Sequence, residues 1–299
     1  MNIFKLGSIA LVITTLSACG GSDSPTTPPT AKVAIPADVI AVSVNGEFCT
    51  SVACEDSNKI VIEQIYNDII NGGNSGLVTS IYNENFTHHN STITAGIEGQ
   101  TDYFNTMFTD KPDSVATIKH IVADGDYVAV HWHYSDNPEN EFIGQANIDL
   151  YKLKDELIVE QWNKSMSPNE STASGNSVFS DLYDYGNSQP NNDIAIEEDN
   201  RSMVKNFYLD LFNNQNLSLI DTLLDPNYLQ HNFWVPNGSA ALRNFVSGGT
   251  SGNLTIFLTL AEDDLVWTFS GSGTGNLGGI DLWRVDNNTN KIVEHWDVF

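Results

Sequence analysis

The spacing of apolar positions changes along this chain from a helical period to a strand period, and it does so twice in the same order. Across residues 58–70, Ile60, Ile62, Ile65, Tyr66, Ile69 and Ile70 form a helical stripe, with Ser57 or Asn58 as cap and Gly72-Gly73 as stop. Helical patterns follow at 76–82 and 97–108. Period-two runs then take over at 115–122, 127–134, 142–153 and 157–162. The second half repeats this order, with helices expected at 201–212, 218–224 and 240–246. Its strands are expected at 255–260, 265–269, 279–285 and 291–298. Helices first and meandering strands after predict an α+β fold in each half.

The last strand pair carries the most chemistry. Asp281, Trp283 and Val285 share one face of the first strand, and Ile280, Leu282 and Arg284 the other. After the polar turn 286–290, Val293, His295 and Asp297 share a face, opposite Ile292, Glu294, Trp296 and Val298. A carboxylate inside an apolar strand is costly unless it is satisfied or used. The hairpin register is not set by the pattern, so either His295 or Trp296 can face Asp281.

The first half holds a diverged copy of this pair. Asp149, Tyr151 and Lys152 match Asp281, Trp283 and Arg284, and Glu160-Gln161-Trp162-Asn163 matches Glu294-His295-Trp296-Asp297. Upstream, the segment ending His88-His89-Asn90 parallels Tyr228-Leu229-Gln230-His231-Asn232. A repeat of about 135 residues is too long for a solenoid and fits a tandem domain duplication.

The ordered set Tyr228…His231-Asn232, Ala261-Glu262-Asp263-Asp264, Asp281-Leu282-Trp283-Arg284 and 291–298 resembles the SnoaL-like polyketide cyclases of the NTF2-like superfamily. The resemblance covers roughly two thirds of the chain. It implies two cone-shaped domains, each with helices packed on a curved antiparallel sheet around an apolar pocket, joined by a flexible linker. It also implies that the two domains pair as an internal pseudo-dimer, since many such domains pair through their sheets. Enzymes of this fold use a pocket carboxylate on a carbon next to a carbonyl. The resemblance therefore marks Asp281, His231 and His295 as catalytic candidates. Trp283, Trp296, Tyr228, His89, His131 and Asp149 become candidates for ligand binding. For His231 a capped-loop role stands about even, and His295 and Asp297 fit a turn or interface role as well as catalysis. His131 and His133 share a strand face and would need His88 or His89 to make a metal site. Three histidines do not establish one, and the resemblance implies neither metal nor cofactor.

The expected domain map begins with a leader at 1–18. Lys5 precedes an apolar run too short to span a bilayer, and Leu16-Ser17-Ala18-Cys19 resembles a bacterial lipobox. That resemblance implies cleavage before Cys19, lipid on its thiol, and an outer-membrane destination in the cell envelope. A Pro/Ser/Thr-rich tether at 19–37 follows. The first domain is expected at 38–165, the linker at 166–193 and the second domain at 194–299. About thirty linker residues would reach roughly 30 Å as a coil. Cys49 and Cys54, alone in an oxidising compartment, are expected to form a disulfide.

Charge narrows the partners. Loss of the leader removes one positive charge and takes the net charge from −25 to −26. So acidic a chain will not seek nucleic-acid phosphates or anionic lipid head groups. A small apolar molecule remains as the expected ligand, with the membrane reached only through the lipid.

Overall fold

The computed structural model describes residues 48–168, 171–186, 194–249, 254–271 and 277–298. The leader, Cys19 and the tether lie outside the described residues. No helix among the described residues is long and apolar enough to cross a membrane.

In the first module, helix α1 (Val52–Gln64) continues through a π-helical turn at Ile65–Ile70. Ser51 caps it, nearly two turns earlier than the expected Ser57 or Asn58: its hydroxyl accepts from the Cys54 amide, beside the Cys49–Cys54 disulfide. Then come α2 (Val78–Ile81), β1 (Tyr82–His88) and α3 (Gly96–Asp110). Strands β2 (Val115–Asp124), β3 (Tyr127–Ser135), β4 (Gln145–Lys154) and β5 (Leu157–Met166) complete it. The second module runs α4 (Ile194–Asn214), α5 (Ser218–Leu223), β6 (Leu224–Gln230) and α6 (Ser239–Ser247). It ends with β7 (Ile256–Glu262), β8 (Leu265–Gly271), β9 (Leu277–Asp286) and β10 (Lys291–Val298).

The two five-stranded sheets have matching orders, β1-β5-β4-β3-β2 and β6-β10-β9-β8-β7. Both are mixed rather than purely antiparallel, because β1 and β6 pair in parallel with β5 and β10. Neither edge strand is legible in the pattern. Their sequences, Tyr82–His88 and Leu224–Gln230, are polar, and each strand bonds a neighbour on one side only.

Each sheet has two faces with different tasks. The inner face of the first packs Val128, Val130, Trp132 and Tyr151 against Ile62, Tyr66, Ile69 and Phe104 of the helices. The inner face of the second packs Val266, Trp283 and Val285 against Val204, Phe207 and Leu211 of α4. The outer faces meet each other: Ile148, Leu150 and Trp162 share one apolar core with Leu260, Trp267, Leu282 and Trp296. Polar contacts seal the rim. Arg201 pairs with Asp124, which also accepts from the Ala261 amide at 2.9 Å.

The described part of the linker, 171–186, is docked and does not hang as a coil. Val178 and Phe179 are buried in the intermodule core. The Leu182 and Tyr183 amides donate to the Glu294 carboxylate at 2.9 and 3.2 Å. Asp181 forms an ion pair with Arg284.

Candidate active site

Strand alternation points Asp281 and Trp283 of β9 into the second cone, together with His295 and Asp297 of β10. The register pairs His295 with Trp283 and Asp297 with Asp281. Two carboxylates therefore face each other across adjacent strands. The His295 ring lies diagonal to Asp281, with Nε2 at 3.1 Å from Oδ1. A bulge between Ile292 and Glu294 turns Ile292 into the inner core, away from the face expected for it.

Hydrogen bonding fixes the His295 tautomer. Gln230 Oε1 accepts from the backbone amides of His231 and Asn232, both at 2.9 Å, so this atom is the carbonyl oxygen. His295 Nδ1 lies 2.8 Å from the same oxygen and must carry a hydrogen. On a neutral ring Nε2 is then bare, and its contact with Asp281 requires a proton between them, from either partner.

Asp297 Oδ2 accepts from Asn232 Nδ2 at 2.5 Å. Asp281 Oδ2 and Asp297 Oδ1 are buried and make no hydrogen bond to any described residue. Burial raises the Asp297 carboxyl from 3.8 to about 6, and the Asp281 charge adds to this while His295 and Asn232 oppose it. Trp283 forms the wall, its ring 4.1 Å from His295 and its Nε1 donating to Thr268 at 3.1 Å. The Tyr208 ring lies 5.2 Å from Trp283 and the Tyr228 ring 6.5 Å from His295. Burial, then the Asp281 charge and a hydrogen bond to the Asp281 carboxylate, pushes the Tyr208 phenol well above its ordinary value.

The first cone has the same frame with different chemistry. Asp149 also points inward, but Tyr66 Oη donates to it at 3.0 Å, Trp132 Nε1 at 2.5 Å and Gln161 Nε2 at 3.4 Å. Burial raises its carboxyl to about 6 against the pull of those three donors. Gln161 stands where the second module has His295, and Asn163 where it has Asp297. Asn90 bonds Asn163 at 2.9 Å, as Asn232 bonds Asp297.

Four expected site residues lie elsewhere. His231 does not join Asp281. It stacks on Trp296 at 4.9 Å, and its Nε2 meets Glu294 at 2.9 Å, on the opposite sheet face. His89 repeats this in the first module, 4.2 Å from Trp162 and 2.9 Å from Glu160. Both histidines follow an edge strand, where the chain turns over the sheet edge and leaves the cone. Trp296 belongs to the intermodule core, its Nε1 donating to the Ser180 carbonyl at 2.9 Å. His131 also faces that core, with Nδ1 3.2 Å from Nδ1 of His120 and its ring against Phe179. Alternation in β3 sends Trp132 inward, so His131 must point out. Asp149, Tyr228, Trp283, Asp281 and His295 do lie inside the cones. The pattern missed the opposition of Asp297 to Asp281 and the supports Gln230 and Asn232. The shared face of His295 and Asp297 was the only signal for it.

Residues 60–165 match the family model described as SnoaL-like polyketide cyclase. Among solved structures, the chain is similar to IdmH of Streptomyces antibioticus, at 20% identity over 36% of this chain and 91% of that one, with a TM-score of 0.32. A SnoaL-like polyketide cyclase from Agrobacterium tumefaciens matches at 14% identity, 36% and 91% coverage and a TM-score of 0.32. An NTF2-like protein of unknown function from Mesorhizobium loti matches at 15% identity, 38% and 93% coverage and a TM-score of 0.31. No curated protein matches. The family match thus falls on the first module, and the second module repeats that module's sheet order strand for strand.

Proposed function

We propose that the second module catalyses proton transfer at a carbon next to a carbonyl in a small, mostly apolar compound. Isomerisation, cyclisation and aldol-type condensation are the reactions of this class. One observation carries the reading: in the buried Asp281–His295–Asp297 cluster an imidazole nitrogen lies 3.1 Å from a carboxylate oxygen, and two further carboxylate oxygens have no partner among the described residues. Asp281 takes the proton from carbon as the C–H bond breaks, and the electron pair moves into the enolate. Asp297, protonated below about 6, or the His295 imidazolium gives a proton to the enolate oxygen or carbon. The apolar walls keep water out.

The test is hydrogen–deuterium exchange at the α-carbon of a panel of small ketones, followed by NMR in deuterated water. Asp281→Asn should lower the exchange rate by on the order of 10²–10⁴, the worth of a positioned base. Asp149→Asn should change it far less. Equal rates in wild type and Asp281→Asn would remove this assignment.

A binding role without chemistry suits the first module, because three protein donors already occupy Asp149. We further propose that the protein is an outer-membrane lipoprotein held by lipid on Cys19. The lipobox-like segment at 16–19 supports this. Cys19→Ser should move the protein from the membrane fraction to the soluble fraction, since acyl chains on one residue supply the whole attachment.

A further inference from the structure

We propose that the second module binds a divalent transition-metal ion between Asp281, His295 and Asp297. One ligand atom from each residue lies within 4.8 Å of the others. Metal bonds of about 2.0–2.2 Å hold ligating atoms about 3–4 Å apart, so a small side-chain rotation closes the set.

Three further features favour an ion. The first is the pair of oxygens Asp281 Oδ2 and Asp297 Oδ1, which have no partner among the described residues, since Asp281 is only 5% exposed and a buried carboxylate oxygen without a donor is costly. The second is the orientation of His295. Gln230 holds Nδ1–H and so presents Nε2 as a lone pair toward the carboxylates, as an outer partner orients a metal-binding imidazole. Asn232 grips Asp297 in the same supporting way. The third is the first module. Gln161 and Asn163 replace two of the three ligands there, and Asp149 is fully engaged by donors. Two carboxylates with one imidazole suit zinc, cobalt, manganese or iron better than calcium, which prefers oxygen alone. Three protein ligands leave positions open for a water or a carbonyl oxygen.

This inference does not rest on the proton-transfer reading. The ion and the shared proton are alternative ways to neutralise the same charge.

The experiment is a titration of the full chain, stripped with chelator and free of substrate, with Co²⁺. Expected is a saturable visible absorption band at about one ion per chain, displaced by Zn²⁺. Asp281→Asn and His295→Gln should each weaken binding by at least about tenfold, while His89→Gln should leave it unchanged. Circular dichroism checks folding. If His295→Gln does not fold, Asp297→Asn takes its place. No saturable band, or equal affinity in every variant, overturns the proposal. Exchange activity in a chain that takes up no Co²⁺ sinks this proposal and keeps the other. Uptake without exchange does the reverse.

Discussion

At the scale of single residues, the buried Asp149 carries a pH signature. Folding raises the Asp149 carboxyl from 3.8 to about 6, so the fold prefers it protonated. Its contribution to stability is therefore whole below about 4 and is lost as pH rises through 6. That difference corresponds to about 3 kcal/mol. Asp149→Asn should remove this dependence. The variant should gain about 3 kcal/mol on wild type between pH 4 and pH 7, read from urea unfolding at both values. A constant offset must be expected beneath this gain. Asn cannot accept from Tyr66, Trp132 and Gln161 all at once, and Gln161 is held by Tyr82 at 3.0 Å. A pH-independent gap between the two proteins would contradict the raised value. The sequence marked Asp149 and Asp281 alike, as acids in apolar strands. It did not reveal that one is satisfied by three donors while the other meets His295 and keeps Oδ2 without a partner among the described residues.

At the scale of elements, the sheet begins where backbone geometry allows. The pattern suggested a strand from residue 142, yet β4 starts at Gln145. Gly144 precedes it with φ +86, a region that L side chains rarely adopt. A Cβ there would also lie 2.5 Å from the Tyr134 carbonyl oxygen. Gly144→Ala should destabilise the first module by about 2–4 kcal/mol from combined strain and contact. Thermal unfolding measures it, and a loss below about 0.5 kcal/mol would show that the turn relaxes freely. The edge strands β1 and β6 make the complementary point. Their residues carry little apolar signal because only one side of each strand is paired, yet they set where His89 and His231 leave the cone.

At the scale of the whole molecule, one apolar core joins the outer faces of both sheets with Val178 and Phe179 of the linker. The rim pair Arg201–Asp124 is largely buried, and Asp124 also caps the Ala261 amide. Asp124→Ala should cost about 3 kcal/mol in chemical denaturation of the full chain, because it strands a buried guanidinium. Glu198 and the Thr259 carbonyl still hold Arg201 and keep the loss at that lower end. The exposed pair Arg243–Asp221 is the control, and Asp221→Ala should cost under about 1 kcal/mol. Equal losses at the two sites would mean that this rim does not couple the modules.

The amino-acid sequence alone determined the duplication, the α+β order and the faces of the last two strands outside the bulge at 292–294. These follow from local periods, which are properties of neighbouring residues. It separated Asp281, Trp283 and His295 from Ile280, Leu282 and Trp296 for the same reason. Tertiary structure alone decided the hairpin register and hence the opposition of Asp297 to Asp281. It also decided that His231 turns to Glu294, that His131 faces a second sheet, and that the linker docks. Those outcomes depend on which surfaces meet across long chain separations, and an alternating pattern is satisfied equally well by either neighbour across a strand.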